Sequence, residues 1–143
     1  MNDKSFECAE MAAGSAIQLT KSILEGDVQN GMALIRPPGH HAMQSEGNGF
    51  CLFNNVAIAA KYALKEYSDK VKKVLIVDWD VHHGQASQYC FYDNPNVMYF
   101  SIHRYCASSP SGGQHHRLRA TTRRAGNRTI WSVVPRTSQG LPC

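Results

Sequence analysis

The sequence predicts an α/β chain: a parallel sheet with flanking helices. Three observations lead there. Stretches with helical spacing, 6–25 and 56–68, alternate with short continuous apolar runs at 31–36, 73–79 and 96–102. The resulting order, α, β, α, β, α, β, implies right-handed crossovers and parallel pairing. Each of the three apolar runs also ends in polar, chemistry-bearing residues: Arg36 to His41, Asp78 to His83 and Ser101 to Arg104. Ligands of parallel sheets bind beyond the carboxyl ends of the strands, which is where these residues fall.

Along the chain, FECAEMAAGSAIQLTKSILE (6–25) is rich in helix formers. Ala13, Ile17, Leu19 and Ile23 stand near helical spacing, and Gly26 is a stop. GMALIR (31–36) reads as a short buried strand ended by Pro37-Pro38-Gly39. A polar, Gly-rich loop runs through Gly49. Asn54 or Asn55 caps a helix over 56–68 with an apolar stripe at Val56, Ala59, Ala60, Ala63 and Leu64. KVLIVDW (73–79) is continuously apolar, the pattern of a strand covered on both faces. A short helix is expected from Gln85 to Tyr92, and NVMYFSI (96–102) is a third strand. Residues 106–143 break the pattern. They hold six arginines and no acid, a net +6, whereas 1–105 hold nine Lys/Arg against eleven Asp/Glu, a net −2. A disordered basic tail is expected there, with at most one short strand at WSVVP.

The 143 residues, 43% hydrophobic and 18% charged, suit one soluble domain. No run approaches the ~18 apolar residues of a membrane span, and the N-terminus lacks a secretory pattern. Five scattered cysteines with no CxxC pair fit a reducing compartment: the cytoplasm, with the nucleus as the other setting. The tail's arginines can attract phosphates, but one tryptophan among them does not make a dedicated nucleic-acid site.

VDWDVHHGQ (77–85) places Asp78, Asp80, His82 and His83 directly after an apolar strand. Buried charges must be paired or bound to a metal. Residues i and i+2 of an extended chain share a face, so Asp78, Asp80 and His82 can converge. Asp80 and His82 are the donor types of a catalytic zinc, which takes three protein ligands and keeps a position open for water. The same residues also suit a capped loop with salt-bridged aspartates. Gly39-His40-His41 supplies adjacent histidines at a neighbouring strand end. One can act as general base with Asp78 as its orienting acid; both can equally be solvent-facing turn residues. Gly47-Asn48-Gly49-Phe50-Cys51 fits a loop lining a narrow apolar channel, or a turn packed by Phe50. Nothing local marks Cys51 as a nucleophile.

Together IRPPGHHAMQSEGNGFCLFNNVAIAA, KVLIVDWDVHHGQ and NVMYFSIHRY resemble the zinc-dependent histone deacetylase family over residues 5–105, most nearly its class IIb, histone deacetylase 6-like members. The resemblance implies part of an arginase/deacetylase fold: 1–105 as the N-terminal part of a catalytic domain and 106–143 as a divergent tail. It implies zinc-dependent hydrolysis of acetyl-lysine on a protein such as a histone or tubulin. Asp80 and His82 resemble zinc ligands. His41 resembles the general base and His40 an electrostatic helper, with Asp78 supporting His40. Asp78, Asp80, His82, Ser101 and Ile102 match a structural potassium site. Gly49 and Phe50 resemble the part of the channel that grips the acetyl-lysine stem. Gln85 takes the place where class I members have an aspartate behind the second histidine. The family's second zinc-binding aspartate and its carbonyl-polarising tyrosine come further downstream, and no acidic residue follows Asp93 here. A truncated isoform, impaired or inactive by itself, is therefore expected. The alternatives are a chain acting only through binding and an acetylpolyamine-type amidohydrolase.

Overall fold

The computed structural model describes residues 2–103 and the backbone of 129–134. Helix α1 spans Ser5–Glu25 and closes on Gly26, whose left-handed φ of 90° places its N–H on the carbonyl of Ile23. That conformation favours a residue without Cβ. The face of α1 that packs inward is lined by Ala9, Ala12 and Ala13, which let α1 approach helix α2 closely. Ile17, Leu19 and Ile23 are only half-buried.

Helix α2 (Asn55–Glu66) begins where Asn54 accepts from the N–H of Ala57 at 3.2 Å. A side-chain oxygen there satisfies one of the helix's free N–H groups. The amide of Asn54 also donates to Ser87 Oγ at 3.0 Å, tying α2 to the short helix α3 (Gln85–Cys90). Strand β1 (Lys73–Asp78) lies beside strand β2 (Val97–Ser101), in parallel, with Asp78 opposite Ser101. Ala57, Ala60 and Ala63 of α2 meet Val74 and Ile76 of β1, Val97 of β2, Val71 and Phe91 in one apolar cluster.

The sheet's third strand comes from the basic tail. Thr129–Val134 forms β3, parallel to β1 on the edge opposite β2, in the order β2-β1-β3. This is the one short strand the sequence allowed there, two residues earlier than WSVVP. The rest of the tail expectation, 104–128 and 135–143, lies outside the described residues.

Three expectations are corrected. Residues 31–36 form no strand. With β2 on one side of β1 and β3 on the other, neither edge of β1 is open to GMALIR. Met32 and Leu34 are 76% and 84% exposed as a result. Strand β1 is also buried on one face rather than two: Val74, Ile76 and Asp78 are buried, while Lys73, Leu75 and Val77 are half-buried. The α2 layer covers a single side, so the apolar run exceeds what the described residues enclose. The helix expected to reach Tyr92 stops at Cys90.

The packing ranks two substitutions. Asn54→Ala removes the cap and the tie to Ser87, and should cost about 1–2 kcal/mol in urea unfolding. Ile76→Ala empties a fully buried position in the apolar cluster and should cost about 2–5 kcal/mol. Equal losses would contradict the packing described.

Candidate functional site

The site gathers at the carboxyl end of β1 and β2, as a parallel sheet predicts. Asp78 ends β1 and has no exposed surface. A buried carboxylate is costly unless hydrogen-bonded. Its Oδ2 receives His40 Nδ1 at 2.8 Å and the Tyr99 hydroxyl at 2.6 Å, and its Oδ1 receives the Asp80 N–H at 3.0 Å. Burial raises the Asp78 pKa, but these bonds and the neighbouring His40 outweigh it and hold the carboxyl below its ordinary value. The Tyr99 hydroxyl moves the opposite way, pushed up by burial and by the charge of Asp78.

The two histidines sit side by side, ring centroids 4.0 Å apart, each with its own partner. His40 is buried against Asp78. His41 is half-buried, and its Nδ1 lies 2.6 Å from Gln85 Oε1. An amide oxygen only accepts, so Nδ1 of His41 carries the proton and Nε2 holds the free lone pair. Burial lowers the His41 pKa, ahead of the opposing Gln85 bond. The loop carrying both is fastened by the Ser87 N–H, which donates to the His40 carbonyl at 3.3 Å.

Asp80 is buried, and its Oδ1 accepts from the His82 N–H at 2.8 Å and faces His82 Nδ1 at 2.9 Å. The His40 Nε2 is 3.9 Å from the same oxygen. Two ligands of a tetrahedral zinc, each at about 2.0–2.1 Å, stand on the order of 3.4 Å apart; this pair is closer, at hydrogen-bond distance, so it places both donor types together without the spacing of a metal site. Among the described residues no third His, Cys, Asp or Glu completes a metal-binding group. A catalytic zinc needs three, so the donors present do not make up the set.

Ser101 and Ile102 reach the same strand ends. The Ile102 N–H donates to the Asp78 carbonyl at 3.2 Å, and Ser101 Oγ pairs with His103 Nδ1 at 2.8 Å. His83 turns away, with Nε2 against Gln88 and its ring beside that of His103. Gly49 lies against the His41 ring, where a Cβ would collide with it, and its φ is +51°. Phe50 follows at φ 67° and is 67% exposed. A left-handed aromatic costs about 1–3 kcal/mol and points to a functional constraint. Cys51 is buried, and burial raises its thiol pKa, which bears against a nucleophilic role.

The structure thus brings together His40, His41, Asp78, Asp80, His82 and Gln85, with Gly49 beside them. Sequence reasoning missed Tyr99 and Gly84. A Cβ at Gly84 would stand 2.5 Å from Asp78 Oδ2, 2.5 Å from the Tyr99 hydroxyl and 2.7 Å from His40 Nδ1. Period-2 counting back from Ser101 puts Tyr99 on the face of Asp78, and a tyrosine in an apolar strand wants a partner for its hydroxyl; that was the available signal.

Residues 1–138 match the histone deacetylase domain family. Polyamine deacetylase HDAC10 of Danio rerio is 60% identical over 100 residues, which are 70% of this chain and 14% of that protein. Polyamine deacetylase HDAC10 of Homo sapiens is 56% identical over 101 residues, 71% of this chain and 15% of that protein. Histone deacetylase clr3 of Schizosaccharomyces pombe is 53% identical over 104 residues, 73% and 15%. The chain therefore spans only 14–15% of the length of these relatives.

The lowered Asp78 pKa makes stability depend on pH. The hydrogen-bonded carboxylate contributes fully above its ordinary value of 3.8, and the contribution fades as pH falls through the lower folded value. Asp78→Asn should be less stable than the parent at neutral pH, and the gap should close on acidification below that value. A gap that stays constant with pH would contradict the assignment.

Proposed function

The chain belongs to the histone deacetylase family, and on that premise we propose that it carries the histidine side of a site that hydrolyses acetylated amines. One observation carries this: two adjacent histidines, oriented separately by a carboxylate and by an amide, stand beside the convergent Asp80–His82 pair. His41 is the general base. Its Nε2 takes the proton of a water attacking the acetyl carbonyl and returns it to the departing amine. The His41 pKa, lowered mainly by burial, keeps that nitrogen unprotonated near neutral pH. His40, its Nδ1 held by Asp78, turns Nε2 towards Asp80 and acts as an electrostatic helper. Asp80 and His82 are two of the ligands that the family's zinc requires, and Asp78, Asp80, His82, Ser101 and Ile102 are the proposed surroundings of a potassium ion.

For the substrate, acetyl-lysine on a histone or tubulin and an acetylpolyamine present the same acetamide on an alkyl stem. The acetylpolyamine reading has one observation in its favour. Relatives named polyamine deacetylase are 56–60% identical to this chain. Histone deacetylase clr3, Histone deacetylase 5 and two HDA1 proteins are 47–53% identical.

Turnover of an acetyl-lysine peptide and of acetylspermidine, measured with added zinc, tests the proposal. Turnover should fall at least on the order of 10²-fold in His41→Ala, the scale of a lost general base. Turnover indifferent to His41→Ala would refute the role of the base.

A further inference from the structure

We infer that Tyr99 is a positioning residue of this site: its hydroxyl fixes the Asp78 carboxylate so that Oδ2 holds His40 Nδ1 and the free Nε2 of His40 faces Asp80. This rests on the reading of His40 as part of the hydrolytic site. The three donors to Asp78 come from three separate segments. His40 belongs to the loop before α2, Asp80 to the turn after β1, and Tyr99 to β2. The Asp80 N–H is two residues away and holds only Oδ1. Among the described residues Tyr99 alone ties Oδ2 to the sheet, on the same oxygen that His40 uses.

Gly84 closes the knot from the remaining side. A single added carbon there would meet Asp78 Oδ2, the Tyr99 hydroxyl and His40 Nδ1 together. The Gly84 backbone therefore packs closely against the carboxylate, the hydroxyl and the His40 ring together. The Tyr99 ring packs against the apolar cluster through its carbon atoms. The ring and the hydroxyl thus do different work, and Tyr99→Phe separates them: it keeps the packing and removes one donor from Oδ2.

Proton exchange at His40 Nδ1 reads the positioning directly. It is followed by NMR on the full chain without substrate or added metal, so its outcome is independent of whether the chain deacetylates anything. The parent should show a protected Nδ1 proton on His40. In Tyr99→Phe that proton should exchange about tenfold faster or more, as a locally loosened group does. The amides of Val74 and Ile102, which bond Asn96 and the Asp78 carbonyl, should stay within about twofold. Unchanged exchange at His40 would overturn the proposal. So would parallel loss of the strand amides, which marks a general structural role. Should Tyr99→Phe not fold, the parent still decides: a Tyr99 hydroxyl proton in close contact with the His40 Nδ1 proton supports the inference, and its absence overturns it.

Discussion

A carboxylate with no exposed surface at the end of an apolar strand is the constraint on which the rest depends. Asp78 stays charged there only because three donors reach it, and each donor commits a different part of the chain. His40 must leave the loop at the right height, which the Ser87 N–H secures through the His40 carbonyl. Tyr99 must sit on the inward face of β2, which the parallel register provides. The chain must turn after Asp78 so that the Asp80 N–H points back, and that turn sends the Asp80 and His82 side chains to one place. The catalytic-looking geometry is in this sense a by-product of making one buried charge affordable.

Much of this was legible in the sequence. The order of periodic and continuous apolar segments gave the parallel pairing of β1 and β2, and the polar residues after each run located the site. GHH, DWDVHHGQ and SIH are local signals, although GHH sits on a loop and the turn after Asp78, not strand periodicity, brings Asp80 and His82 together. Gly49 was readable as a close approach, and the His41 ring is what it approaches. The misses are non-local. That 31–36 would find no sheet edge depends on β3, almost a hundred residues later, taking the edge of β1. The partnership of Tyr99 with Asp78 depends on inter-strand register, which a single run such as NVMYFSI does not state.

The two faces of the sheet are treated unequally. Alanines at 57, 60 and 63 let α2 lie close over Val74 and Ile76, while Leu75 and Val77 on the other face of β1 are only half-buried, and Trp79, Met32 and Leu34 stand exposed outside the strands. Apolar side chains of that size are the kind that further structure covers, or that associate when left bare. The same imbalance appears at the site. The histidines have their orienting partners, while the metal-binding side offers two donors among the described residues.

The central claim is that the His40–Asp78 couple organises the site. A double-mutant cycle on unfolding free energy with His40→Ala, Asp78→Asn and the double variant tests it most directly. The account predicts a coupling of about 1.5–3 kcal/mol, the range of a buried hydrogen bond to a charged group. A coupling near zero would mean that the two residues are neighbours without being partners, and the site would need another anchor.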